Sequence, residues 1–261
     1  MIDLHTHILP AIDDGVQTDE EALEFARMAR DDGVTRIVAT PHCKEGLYFN
    51  DRATVLAGVE RLGRVLAREG VGIELLPGAE VHLCPDLLDR IRDGRAPTLN
   101  DNGKTLLLEL SLTQYPVLLE KLLFQLKLAG IEVIFAHPER IRYFQDDPKR
   151  YAELVRLGAW GQITTGSITG VFGRAAREYS EQLLREGLVH VLASDGHNTR
   201  GRRPVLTEAI EAMEPWVGRR RAESMVDGVP AALLEGRAPE IPPLDTPRRS
   251  RTTFWSRWLR R

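Results

Sequence analysis

At 261 residues, with 43% hydrophobic and 28% charged residues, the chain has the size and make-up of an ordinary globular protein of one large or two small domains. A formal net charge of −3 argues against general nucleic-acid binding, and two cysteines, Cys43 and Cys84, without paired spacing exclude a disulfide framework and fit a reducing cytoplasm. The first residues carry neither a basic nor an apolar stretch, and no apolar run approaches 18 residues, so neither a signal peptide nor a membrane span is expected.

Short β-rich runs predict strands at 1–4, 36–39, 73–77, 105–110, 132–136, 160–164 and 190–193. Helical periodicity fills the gaps, at 20–32, 52–69, 117–129, 148–157, 174–186 and 204–214. Thr18 reads as an N-cap for the first helix, and Gly33, Gly70, Gly130, Gly158 and Gly187 read as helix stops. Strand–helix alternation implies parallel strands with crossover helices. Polar residues suited to metal binding fall at the C-terminal ends of most of these strands. In an open sheet such residues gather at one switch point, whereas in a barrel all strand ends share one mouth. An irregular seven-stranded barrel is therefore expected. Beyond Pro243 lies a short tail, 244–261, whose stretch 247–261 holds six arginines and no acid, with Phe254, Trp255, Trp258 and Leu259 on one face if helical. They read as a basic amphipathic tail outside the core.

His5 and His7 alternate along the first strand and so point the same way, as a pair of nitrogen donors. Asp14 follows in Asp13-Asp14-Gly15, and His42, Glu80, Glu109, His137, Asp195 and His197 lie at or just after later strand ends. A carboxylate can bridge two cations, and buried cations need anionic ligands to offset their charge. Glu109 ends a run of leucines, where an unpaired carboxylate would be costly. Asp195-Gly196-His197 is expected to be extended, with both ligands on one side. His82 is read as an exposed histidine and His190 as a structural one. Arg140 follows His137, and Arg200, Arg202 and Arg203 follow His197; guanidinium forks suit phosphate oxygens. Cys84 through Arg90 matches the C-x5-R spacing of cysteine-dependent phosphatases. Asp86 and Asp89 in that stretch would repel a phosphate, and it contains no glycine, so the match is read as coincidental.

Six segments carry a family resemblance: His5-Thr-His-Ile-Leu-Pro-Ala-Ile-Asp-Asp-Gly15, Ala39-Thr-Pro-His42, Pro77-Gly-Ala-Glu-Val81, Leu107-Leu-Glu109, Ala136-His-Pro-Glu-Arg140 and Ser194-Asp-Gly-His-Asn198. With them the chain resembles the polymerase and histidinol phosphatase (PHP) superfamily. Within it, the chain is similar to the manganese-dependent bacterial protein-tyrosine phosphatases of capsular and exopolysaccharide loci. The resemblance implies a distorted TIM-like (β/α)7 barrel of PHP type over residues 1–243, with the tail outside it. It implies three divalent ions, manganese favoured, with iron, zinc or cobalt also suited to nitrogen and oxygen ligands. One ion would take His5, His7, Glu80 and Asp195, a second Glu80, Glu109 and His137, and a third Asp14, His42 and His197. Asp14 stands where many relatives use histidine. Arg140 and Arg202 match the positions used near the phosphate.

The implied activity is phosphomonoester hydrolysis by water that the cations acidify, with no covalent phosphoenzyme. The implied substrate is the phosphotyrosine tail of a membrane-associated bacterial tyrosine kinase, met in the cytoplasm. Separately from the resemblance, the arginines and tryptophans of the C-terminal tail suit contact with an anionic membrane surface, which would make the location membrane-peripheral. Two other readings keep the residues: a phosphatase of small molecules such as histidinol phosphate, and a non-catalytic binding module that holds metal for structure.

Overall fold

The structure, a computed structural model, describes residues 1–244, so the tail expected at 244–261 lies outside the described residues except for Leu244. The described strands are β1 (Ile2–Thr6), β2 (Arg36–Ala39), β3 (His42–Lys44), β4 (Tyr48–Phe49), β5 (Glu74–Pro77), β6 (Glu80–His82), β7 (Thr105–Glu109), β8 (Glu132–Ala136), β9 (Trp160–Thr164) and β10 (Val191–Ala193). Helices α1 (Asp19–Asp31), α2 (Arg52–Arg68), α4 (Leu119–Leu128), α6 (Pro148–Arg156), α8 (Arg174–Glu186) and α9 (Thr207–Val217) fill the long connections, where helical periodicity placed them. Three shorter ones stand between these, α3 (Leu87–Arg92), α5 (Arg142–Asp146) and α7 (Thr165–Thr169), and two follow them, α10 (Arg219–Ser224) and α11 (Gly228–Leu234).

All seven predicted strands form, but two of them run on past a break. The chain leaves β2 at Thr40-Pro41 and re-enters as β3; it leaves β5 at Gly78-Ala79 and re-enters as β6. Pro41 has no N–H to offer a ladder, which helps to end β2 there. The result is a small sheet, β1-β2-β5, and a large one, β10-β9-β8-β7-β6-β3-β4. Every pairing is parallel except the hairpin of β3 with β4. Between β10 and β1 the circuit rests on one parallel bridge, Thr6 with Gly196. The His7 N–H donates to Gly196 O (2.8 Å) and the Asp195 N–H to His5 O (2.9 Å) across that seam. The fold is thus TIM-like in its (β/α)7 order, while its ladder is interrupted rather than continuously closed.

Ile2, Leu4, Val38, Leu107, Ile134, Ala136 and Val191 pack in one buried cluster. Strands β2 and β8 are not neighbours, so only the inward faces of a curled sheet bring Val38 and Ile134 together. Leu99 and the α11 residues Val229, Leu233 and Leu234 plug this cluster. The plug sits at the N-terminal ends of the strands, because the Ile2 N–H donates to Val226 O (2.7 Å) and the Thr105 hydroxyl to Leu233 O (2.8 Å). A larger apolar cluster fills the space between strands and surrounding helices. Each fully buried aliphatic side chain here contributes about 1.5–3 kcal/mol. Thr18 caps α1 by accepting the Glu21 N–H (3.2 Å), and Gly187 ends α8 in a left-handed turn (φ 70°) that suits glycine. With one end plugged by apolar side chains, the C-terminal ends of the strands are left for the polar residues. Among the described residues no helix is long and apolar enough to cross a membrane.

Candidate metal centre

His5 on β1 and His7 just beyond it turn their rings toward one point. Their Nε2 atoms lie 3.2 Å apart, and each stands 3.4–3.5 Å from Glu80 Oε2 and Asp195 Oδ1. Four donors about 2.1 Å from one ion at tetrahedral angles stand roughly 3.4 Å from each other. Glu80 reaches this point from the start of β6, and Asp195 from just after β10. All four side chains are buried.

The other ring nitrogens explain why these two face inward. His7 Nδ1 meets Asp13 Oδ2 at 2.7 Å, and His5 Nδ1 meets Gln162 Oε1 at 2.9 Å. A carboxylate and an amide oxygen can only accept, so Nδ1 carries the proton in both rings and Nε2 presents a lone pair. Two lone pairs 3.2 Å apart repel unless a cation or a proton stands between them. The third ring behaves alike: His197 Nδ1 donates to the Asp195 carbonyl (3.0 Å), and its Nε2 is buried without a hydrogen-bond partner. His42 Nδ1 and Glu80 Oε2 are 2.9 Å apart, yet neither has a hydrogen-bond partner of acceptable geometry. Buried polar atoms that converge but do not bond to one another are what a cation site requires. The donor set therefore fits divalent transition metals.

Among the described residues the donors fall into three groups: His5, His7 and Glu80; His7, Asp14, His42 and His197; and His42, Glu80 and Glu109. All nine expected ligand residues lie in or beside these groups. The grouping differs from the expected partition at three points: Asp195 stands beside the group of His5, His7 and Glu80 rather than in it, His7 also joins Asp14, His42 and His197, and the third concerns His42. His42, rather than His137, shares the group of Glu80 and Glu109, while His137 Nε2 meets the other Glu80 oxygen, Oε1, at 2.8 Å. Asp14 is the outermost member, half-exposed, with Oδ1 3.4 Å from both His42 Nε2 and His197 Nε2. Two expected local geometries are corrected. His82 is not a solvated histidine but half-buried, its Nδ1 3.0 Å from Glu109 Oε2. The Asp195 segment is not extended: Asp195 adopts a left-handed φ of 52°, and His137 one of 36°. A left-handed backbone costs a non-glycine residue on the order of 1–2 kcal/mol, and both strained residues sit in the site.

Backbone packing fixes the rest. A Cβ at Gly15 would lie 2.2 Å from His7 O, so only glycine lets the Asp13-Asp14 turn fold back onto His7. Asp13 Oδ2 also accepts the His42 N–H (3.0 Å), tying the first and second strand positions together.

Burial alone would strip protons from the rings. Against it, Glu80 and Asp195 raise His5 to about 9, and Asp14 and Glu80 raise His42 to about 11. Burial would also raise the two inner carboxyls, but His5 and its neighbours hold Glu80 and Asp195 well below the usual carboxylate range. Protons and cations thus compete for the same lone pairs.

Asp195 joins this cluster to the arginines. Its Oδ2, turned away from His5 and His7, accepts from Arg140 Nη1 (3.0 Å) and lies 2.6 Å from Arg202 Nη2. The other two arginines do not join them: Arg203 pairs with Glu208 (3.0 Å), and Arg200 is exposed. His190 accepts the Gly161 N–H on Nδ1 (3.1 Å), and burial, with Arg221 nearby, lowers it to about 3. The C-x5-R match has no anion cradle. Arg90 pairs with Asp86 (2.8 Å) and Glu45 (2.7 Å), and burial pushes the Cys84 thiol up to about 11, away from nucleophilic use.

Sequence reading passed over Asp13, Gln162 and Tyr48, whose ring stacks on His42 at 5.5 Å between centroids. It also passed over Phe172, which lies against both site arginines.

A family profile described as capsular polysaccharide synthesis, CpsB/CapC, matches residues 1–235. The chain belongs to the CpsB/CapC family. Among curated relatives in this family, it is 36% identical over 218 residues to tyrosine-protein phosphatase YwqE of Bacillus subtilis, covering 84% of this chain and 85% of that one. It is 29% identical over 230 residues to tyrosine-protein phosphatase CpsB of Streptococcus agalactiae, covering 86% of this chain and 94% of that one. Its structure is similar to a solved CpsB/CapC structure from work on YwqE of B. subtilis and CpsB of Streptococcus pneumoniae, described as metal-dependent tyrosine phosphatases. The TM-score is 0.89 at 33% identity, covering 95% of this chain and all (100%) of that one. A β-aspartyl dipeptidase from Fervidobacterium islandicum, 16% identical with a TM-score of 0.54 over 89% of this chain and 72% of that one, shares the fold alone.

Proposed function

We propose that this CpsB/CapC protein is a metal-dependent phosphomonoester hydrolase that acts as a protein-tyrosine phosphatase. The observation that carries the reading is the double use of Asp195, with Oδ1 turned to His5 and His7 and Oδ2 to Arg140 and Arg202. An anion held by the arginines is thereby placed beside the cation donors. The relatives named tyrosine-protein phosphatases support the same reading.

His5, His7, Glu80 and Asp195 would hold a first ion, Glu80, Glu109 and His137 a second, and Asp14, His42 and His197 a third. His42 is an alternative partner for the second, given its place beside Glu80 and Glu109. Manganese is the reading favoured by family resemblance. Bound divalent cations would lower the pKa of water and offset negative charge on phosphate oxygens. Arg140 and Arg202 orient the phosphate and stabilise the charge that develops on its oxygens. Arg202 Nε is buried without a partner and has an N–H to give. Asp195 holds the two guanidiniums side by side before substrate arrives, so little reorganisation is left for the reaction.

The substrate we infer is phosphotyrosine on the tail of a membrane-associated bacterial tyrosine kinase that controls capsule or exopolysaccharide synthesis, reached from the cytoplasm. The basic residues at 244–261 would assist by contact with an anionic membrane surface. Chelated full-length protein, reloaded separately with Mn, Fe, Zn or Co, should hydrolyse a phosphotyrosine peptide in preference to histidinol phosphate. Arg140→Ala should lose about 10²–10³-fold in kcat/KM with its metal retained. A preference for histidinol phosphate would shift the reading to a small-molecule phosphatase. Metal binding without turnover of either substrate would leave a binding module.

A further inference from the structure

We propose that Phe172 is a positioning residue for the phosphate-binding arginines, an aromatic shelf that holds both guanidiniums at the angle the reaction needs. The proposal rests on the phosphatase reading of Arg140 and Arg202. The Phe172 ring centroid lies 4.1 Å from Arg140 Cζ and 5.6 Å from Arg202 Cζ. A ring face attracts a cation through its quadrupole, and one ring here serves two cations that repel each other. Asp195 Oδ2 accepts from Arg140 and pairs with Arg202 as an ion (2.6 Å), but it is one atom and leaves each side chain free to pivot about it. A second surface is needed to fix their planes.

The shelf is itself seated. A Cβ at Gly166 would lie 2.7 Å from Phe172 Cε2 and 3.1 Å from Cδ2, so the ring lies against a bare glycine in α7. The Phe172 N–H donates to Gly166 O (3.2 Å). The seat and the Arg140 turn are tied through buried Glu139. Its Oε1 accepts from the Ser167 hydroxyl (2.7 Å), the Thr164 hydroxyl (2.8 Å) and the Thr164 N–H (3.0 Å). Shelf and arginine therefore belong to one rigid unit. Beside it Phe172 and Arg202 wall a cleft of about 280 Å³, with Thr165, Thr169 and Val205 among its other walls. Without the ring, Arg202 has room to turn away from the site into that space.

Steady-state kinetics of the full metal-loaded chain on an aryl phosphate, with inorganic phosphate as competitive inhibitor, test this. Phe172→Leu should lose about tenfold in kcat/KM and weaken phosphate inhibition comparably, with metal content and Tm unchanged. Phe172→Trp, which keeps a ring face, should recover most of the loss. In an Arg140→Ala, Arg202→Ala background, Phe172→Leu should cost nothing further, as expected of residues that act as one unit. Gly166→Ala, which lifts the ring off its seat, should weaken phosphate inhibition as Phe172→Leu does. Wild-type phosphate inhibition in Phe172→Leu, or a Trp variant as impaired as the Leu variant, would overturn the shelf while leaving the phosphatase reading intact. If unsubstituted protein neither turns over the ester nor binds phosphate, both readings fall together.

Discussion

The two ends of the same strands follow opposite rules. Toward their N-terminal ends Leu4, Ile134 and Val191 pack with α11 in one apolar cluster, and the polar atoms at its edge, such as the Thr105 hydroxyl, have partners. One to four residues further on, near or just past the ends of β1, β8 and β10, the chain places His5, His137 and Asp195, two of them with left-handed backbone, among buried atoms that lack hydrogen-bond partners. That end is built at a cost that the plugged end offsets. Stability and chemistry are thus separated along the strand axis, as in other barrels of this kind.

Asp195→Ala strikes the costly end hardest. It should lower aryl phosphate turnover by at least about 10³-fold and release metal, measured by kinetics alongside elemental analysis. Retained activity with retained metal would dissolve the contrast. Ile134→Ala strikes the other end. It should cost about 2–5 kcal/mol in urea unfolding while turnover per folded molecule persists. If turnover per folded molecule fell in step with stability, the two ends would not be separable. Asp13→Asn addresses the boundary, since Asp13 orients His7 and holds the His42 N–H without standing in a donor group itself; chelator competition should show metal affinity weaker by about 10–100-fold.

The smallest effect concerns His190, away from the cluster. Its folded value is about 3 against 6.5 unfolded, so below pH 6.5 the unfolded chain binds a proton that the folded chain refuses. That contribution to stability falls from pH 6.5 toward pH 3 by at most about 1.4 kcal/mol per pH unit. In metal-saturated protein, His190→Gln should flatten the slope in that window; an unchanged slope would assign acid sensitivity to the mouth alone.

Much of this contrast was legible in the residues. Strand positions follow from β-rich runs bounded by glycine and polar turns, and the nine ligand candidates from their recurrence at strand ends. The splitting of the second and third strands was not legible, because His42–Lys44 and Glu80–His82 are too short to show a period. Gln162 was missed because a neutral amide carries no charge signal. Yet a glutamine amid Trp160-Gly-Gln-Ile-Thr164 is a polar group in a buried strand, and such a group needs a partner. Phe172 was invisible for the opposite reason: a phenylalanine reads as core unless its neighbours are known. The backbone angles at His137 and Asp195 are set by tertiary contacts that no local pattern encodes.

The seam between β10 and β1 carries one bridge, and the donors lie on both sides of it: His5 on the first strand and His7 just past it, Asp195 and His197 after the last described strand. Any ion gripping both sides becomes a latch joining the beginning of the fold to its final strand. Loading would then be the closing act of assembly, and slowed deuterium uptake at the His7 and Asp195 amides would report it directly.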